Sequence, residues 1–95
     1  MSKNNKALHA IRVAKSAVDQ ELERHRAGAG TVSTPQQLAS IKEQLDVWEC
    51  EIVNGVIKPR QSRDRGMGHM ISDSWPLGSP LGELVLKAEE IYVTL

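Results

Sequence analysis

Residues 34–55, TPQQLASIKEQLDVWECEIVNG, decide the architecture. Leu38, Ile41, Leu45, Trp48 and Ile52 follow one another at spacings of three and four. On a helix of 3.6 residues per turn, that spacing brings all of them to one seam able to pack like a coiled-coil face. The ends are marked as well. Thr34 can cap, Pro35 suits the first helical position, Gln37 can reach back to complete a capping box, and Asn54-Gly55 closes the segment. The stretch is therefore predicted to be a helix that forms the spine of the core. Its opposite side carries Glu43, Asp46, Glu49 and Cys50.

Upstream, residues 4–27 are rich in Ala, Lys, Glu and Arg, with Leu8, Ile11, Ala14, Val18 and Leu22 on one side, which predicts a long amphipathic helix. Lys15 falls inside that stripe. The first reading is a snorkelling side chain, and the second is a partner for an acid on a neighbouring helix. Gly28, Ala29 and Gly30 end the helix, and the short link to Thr34 makes the two helices antiparallel neighbours.

Downstream, residues 56–65 read as a connection, interrupted by Pro59 and carrying the basic residues Lys58, Arg60, Arg63 and Arg65. Met67, Met70, Ile71 and Trp75 suggest a short helix over 64–75, weakened at Gly66 and Gly68 by about 1 kcal/mol each relative to Ala. Pro76 and Gly78 stop it. Ser79-Pro80 then opens a last helix with Leu81, Leu84, Val85, Ala88, Ile91, Tyr92 and Leu95 as its buried face. The expectation is an all-α fold, a compact four-helix domain spanning residues 1–95: a long antiparallel hairpin, a short third helix and a C-terminal helix.

Composition agrees with that expectation. A chain of 95 residues can bury roughly 60–65% of its unfolded surface and needs no metal or disulfide staple. Phe is absent and aromatics are 3% of the chain, while hydrophobic residues make up 40%, so aliphatic helix packing is favoured over a β-sandwich. The formal net charge is zero; no global field draws in nucleic acid or an anionic membrane. The single cysteine, Cys50, rules out an internal disulfide and a multi-cysteine zinc site. The polar opening Met1-Ser2-Lys3-Asn4-Asn5-Lys6 and the lack of a long apolar run lead us to expect a cytoplasmic protein with no membrane contact.

Signs of chemistry are few. His69 and Asp73, and Glu21 and His25, are each four apart. Surface ion pairing accounts for both, since no third ligand completes a zinc motif. Gly66-Met67-Gly68 lacks the preceding strand and the Lys-Ser/Thr of a phosphate loop. Cys50 is flanked by Glu49 and Glu51 and so lacks the electropositive surroundings of a reactive thiol. We expect no catalytic residue, no metal, no cofactor and no enzyme. Protein binding remains. Its candidate residues are Glu43, Asp46 and Glu49 on the acidic helix face, Arg60, Arg63 and Arg65 in the basic connection, and Asp73 and Trp75 at the corner before the last helix. Solvation is the plainer reading of the acids, and capping of the core that of Trp75.

Gln37-Leu38 with Ile41, then Ile71, Asp73, Ser74 and Trp75, then Leu81-Gly82 and Tyr92 give residues 37–92 a pattern that resembles small helical immunity proteins, which neutralise interbacterial toxins delivered by type VI or type VII secretion. Asp73-Ser74-Trp75 followed by Leu81-Gly82 looks like a type VII-associated family, and the helix order looks like immunity proteins of type VI NAD(P)-hydrolysing effectors. The resemblance implies a cytosolic protein that binds one cognate toxin domain and blocks its active site. The basic connection departs from both patterns. An alternative expectation is a nucleic-acid-binding or regulatory helical protein, of the antitoxin or repressor type, using the basic 58–65 stretch. Nucleic acid is not the expected partner, and either a monomer or a homodimer fits the sequence.

Overall fold

The computed structural model describes residues 2–30, 32–59, 71, 75 and 79–95. These form three α-helices: α1 (Lys3–Arg26), α2 (Pro35–Asn54) and α3 (Pro80–Val93). No strand occurs among the described residues. Each helix begins at a hydroxyl cap. The Ser2 hydroxyl accepts from the Asn5 N–H at 3.1 Å, Thr34 from Gln37 at 3.2 Å and Ser79 from Gly82 at 3.2 Å. These contacts satisfy N–H groups that the helix itself cannot. At the far end of α2, Gly55 takes φ 72°, and its N–H reaches back to the carbonyls of Glu51 and Ile52; a side chain is disfavoured in that left-handed conformation.

Most of the expected short helix over 64–75 lies outside the described residues. Ile71 is helical, and the Trp75 N–H donates to its carbonyl at 3.0 Å. The described part of the fold is thus all-helical with three helices, and the fourth is not among them.

The expected seam of α2 is the seam found: Leu38, Ile41, Leu45, Trp48 and Ile52 are all buried. The stripe of α1 is turned from the expected one. Ala7, Ala10, Ile11, Ala14 and Val18 are buried, whereas Leu8 and Leu22 sit half-buried at its edges. Three alanines on the buried side let neighbouring backbones come close. Accordingly, α1 packs on both α2 and α3 and is the central element, a place that the sequence pattern assigned to α2. Between α2 and α3 the link is aromatic: Trp48 stacks on Tyr92 with ring centroids 4.4 Å apart and planes 12° from parallel. All three aromatic residues of the chain, Trp48, Trp75 and Tyr92, are in the core. The radius of gyration is 13.2 Å, close to the roughly 13 Å of a compact 100-residue domain.

The turn between α1 and α2 is fixed by a charged group inside it. Glu21 is 4% exposed. Its carboxylate accepts from the Val32 N–H at 3.1 Å and lies 3.6 Å from His25 Nε2, which is itself 2.9 Å from the Val32 carbonyl. Glu21 and His25, read from the sequence as a surface pair, are instead a brace for the loop. Ser33, at φ 64°, accepts an unfavourable backbone conformation there. Its hydroxyl donates to the Gln37 side chain, which also accepts from Trp75 Nε1 at 2.8 Å. Gln37 thus ties the α2 start to Trp75 where the sequence suggested a capping box.

Gly30 lies against the His25 ring: a Cβ there would stand 2.3 Å from the ring carbon Cγ. Because the ring is held from both sides by Val32 and Glu21, it has little room to yield. Gly30→Ala is expected to lower stability by about 1–3 kcal/mol, as overpacking does, measured by urea unfolding. Gly28→Ala should act through its φ of 77° alone, since nothing lies near its missing Cβ.

Candidate partner-binding surface

The flank of α1 that faces α2 carries charge, and α2 answers it in antiparallel register. Arg12 Nε meets Glu49 at 2.7 Å, Lys15 Nζ meets Glu49 at 2.7 Å and Asp46 at 2.5 Å, and Lys42 Nζ meets Asp19 at 2.7 Å. Each turn forward on α1 matches one turn back on α2. Lys15 is thus the partner of acids on a neighbouring helix, the second of its two sequence readings.

The exchange of charge shifts both ends of the ladder. Hydrogen bonds that Lys15 donates to Asp46 and then Glu49 hold it above the usual lysine value. Those from Lys15 and then Arg12 hold Glu49 below the usual carboxylate value. A carboxylate depressed in the folded state contributes stability above its unfolded pKa, lost as pH falls through the folded one. A raised lysine contributes below its unfolded pKa and loses that as pH rises through its folded one. Between about pH 5 and pH 10 both contributions are present.

This ladder divides the candidate residues. Glu49, with 20% of its side chain exposed, points at α1 and is already engaged. Asp46 shares Lys15 but keeps 48% of its side chain in solvent. Glu43 is exposed and faces outward. Trp75 is 6% exposed, and its indole N–H is bonded to Gln37, so little of it is left for a partner. Arg60, Arg63, Arg65 and Asp73 lie outside the described residues.

The structure adds residues that the sequence reading passed over. On the outer face of α2, Glu43, Asp46, Val47, Cys50, Glu51 and Asn54 surround a shallow depression that Val56 completes. Val47 is 42% exposed and Val56 71%. Glu51 accepts from the Tyr92 hydroxyl at 2.8 Å, which holds that carboxylate at the edge of the patch. The signal was available: Val47 and Val56 are apolar residues off the seam periodicity. The arrangement is an apolar strip bordered by carboxylates.

Among the described residues no three His, Cys, Asp or Glu side chains gather as a metal site would require, no helix is long and apolar enough to cross a membrane, and no buried side-chain polar atom lacks a partner. Comparison of the chain with protein-family models and with curated proteins found no match.

Glu49→Gln is expected to cost about 1 kcal/mol at pH 7, discounted for the solvent that still reaches both partners. It should also flatten the acid side of the stability-versus-pH curve. Urea unfolding at pH 3 and pH 7 checks this: the difference between wild type and variant should be present at pH 7 and shrink at pH 3.

Proposed function

We propose that the chain is an immunity protein, which binds one cognate interbacterial toxin domain in the cytoplasm and blocks its active site. The observation that carries this reading is the outer face of α2, where exposed Val47 and Val56 stand within a border of Glu43, Asp46 and Glu51. A toxin acting on nucleotides or nucleic acids must present a basic cleft to its substrate. A carboxylate border complements that cleft and speeds encounter, while apolar side chains that lose water at the centre supply affinity.

The internal ladder supports the same reading. With Glu49 engaged by Arg12 and Lys15, the helix pair holds its shape without a partner, so the face is presented ready-made and binding need not order it. The resemblance carried by Gln37-Leu38, Ile41, Ile71, Asp73-Ser74-Trp75, Leu81-Gly82 and Tyr92 points to the same class. Arg60, Arg63 and Arg65 enter the proposal on sequence alone, as the stretch that sets partner choice.

The test is co-expression with a toxin domain encoded by a gene adjacent to that of this chain, which the reading requires to exist. Wild type should relieve toxicity. The double variant Glu43→Lys/Val47→Asp should fail to do so, with affinity for the purified toxin domain reduced at least tenfold and helical circular dichroism unchanged. No relief by the wild type, or salt-dependent DNA binding lost when Arg60, Arg63 and Arg65 are neutralised, would turn the reading toward a regulatory protein.

A further inference from the structure

The two flanks of α1 are treated differently. Toward α2, its charges meet opposite charges in register. Toward α3, Lys6, His9, Ala10 and Val13 face Leu84, Lys87 and Ile91 across a groove of about 180 Å³. The same groove continues past Lys3 and Leu95 at its open end. Val13 is 37% exposed, and Leu84, Ile91 and Leu95 are half-buried. No ion pair forms on Lys3, Lys6, His9 or Lys87. The exposed acids of α3 are Glu83 and Glu90, and neither forms an ion pair with these four residues. The floor is apolar, the rim carries lysines, and among the described residues no carboxylate pairs with Lys6 or Lys87.

We propose that this α1–α3 groove is a second docking site, separate from the α2 face, and that its occupant is an acidic amphipathic helix of a protein partner. A helix laid along it would set apolar side chains between Val13, Leu84 and Ile91 and carboxylates against Lys6 and Lys87, the helix-in-groove mode of recognition. From Leu84 to the end of α3 at Val93 the groove follows about 14 Å of helix, or about two and a half turns, a length that a partner helix of about three turns can span. Its volume is below the roughly 300–1,000 Å³ of small-molecule pockets, so it takes side chains one or two at a time. The recessed apolar floor also distinguishes it from a membrane-binding helix, whose apolar side chains must protrude past the charges to enter lipid.

The probe is a fluorescein-labelled helical peptide of about four turns, with leucines along one stripe and glutamates beside it. A second peptide has lysine in place of every glutamate. Fluorescence anisotropy should show binding of the acidic peptide only. Lys6→Glu/Lys87→Glu should weaken it at least tenfold and transfer preference to the lysine peptide, and Val13→Asn should weaken it with no change of charge. Circular dichroism should report the same helix content in all variants. Glu43→Lys/Val47→Asp should leave the affinity unchanged, which separates this site from the toxin-binding face. Equal binding of both peptides, no binding of either, or binding indifferent to Lys6 and Lys87 overturns the proposal. So do two other occupants: phosphatidylglycerol vesicles captured in the peptide's place, or self-association of the chain abolished by Lys6→Glu/Lys87→Glu.

Discussion

The burial of one narrow stripe of α1 governs this molecule. Ala7, Ile11, Ala14 and Val18 are fully removed from solvent, and both other helices pack on the element that carries them. Alanine contributes little area, so its value here is geometric: it lets backbones approach closely enough for long side chains on α2 and α3 to meet over it. Trp48 and Tyr92 do so, stacked at 4.4 Å. The Tyr92 hydroxyl, which would be costly to bury unpaired, is led to Glu51 at the surface.

From that packing follows the distribution of charge. A chain with equal numbers of acidic and basic residues could scatter them evenly. Here α1 and α2 consume several of theirs against each other, and Glu21 is drawn inside to hold the turn. Two patches of the described surface are sorted. Carboxylates border the valines of α2, and lysines border the groove between α1 and α3. A protein of no net charge thus carries two surface patches of opposite character.

Much of this was legible in the residues. The α2 helix was set out in full, because its cap, its proline, its terminal glycine and its apolar spacing all agree. The last helix was read from the same kinds of signal, Ser79-Pro80 and the run from Leu81 to Tyr92, but Leu84, Ile91 and Leu95, expected on its buried face, are half-buried, and Val93 is buried instead. The face of α1 was harder. Leucine outweighs alanine in any hydrophobic pattern, so Leu8 and Leu22 drew the stripe toward themselves, while the close-packed side belonged to Ala7 and Ala10. Glu49 was read as outward because the wheel of one helix cannot say where Lys15 of its neighbour lies; register is a property of two helices. Glu21 escaped for a similar reason, its decisive partner being a backbone N–H eleven residues away at Val32. Of the residues around the α2 depression, Glu43, Asp46 and Cys50 were set on the outer face by the sequence pattern, and Val47 and Val56 were not considered.

Native-state hydrogen exchange, read residue by residue, tests the central place of α1 most directly. The amides of Ile11, Ala14 and Val18 should exchange only through global unfolding, with the same free energy as Leu45 on α2 and Val85 on α3. Exchange of α1 through a lower-energy opening that left α2 and α3 protected would contradict this, and would make the helix an accessory to a core built elsewhere.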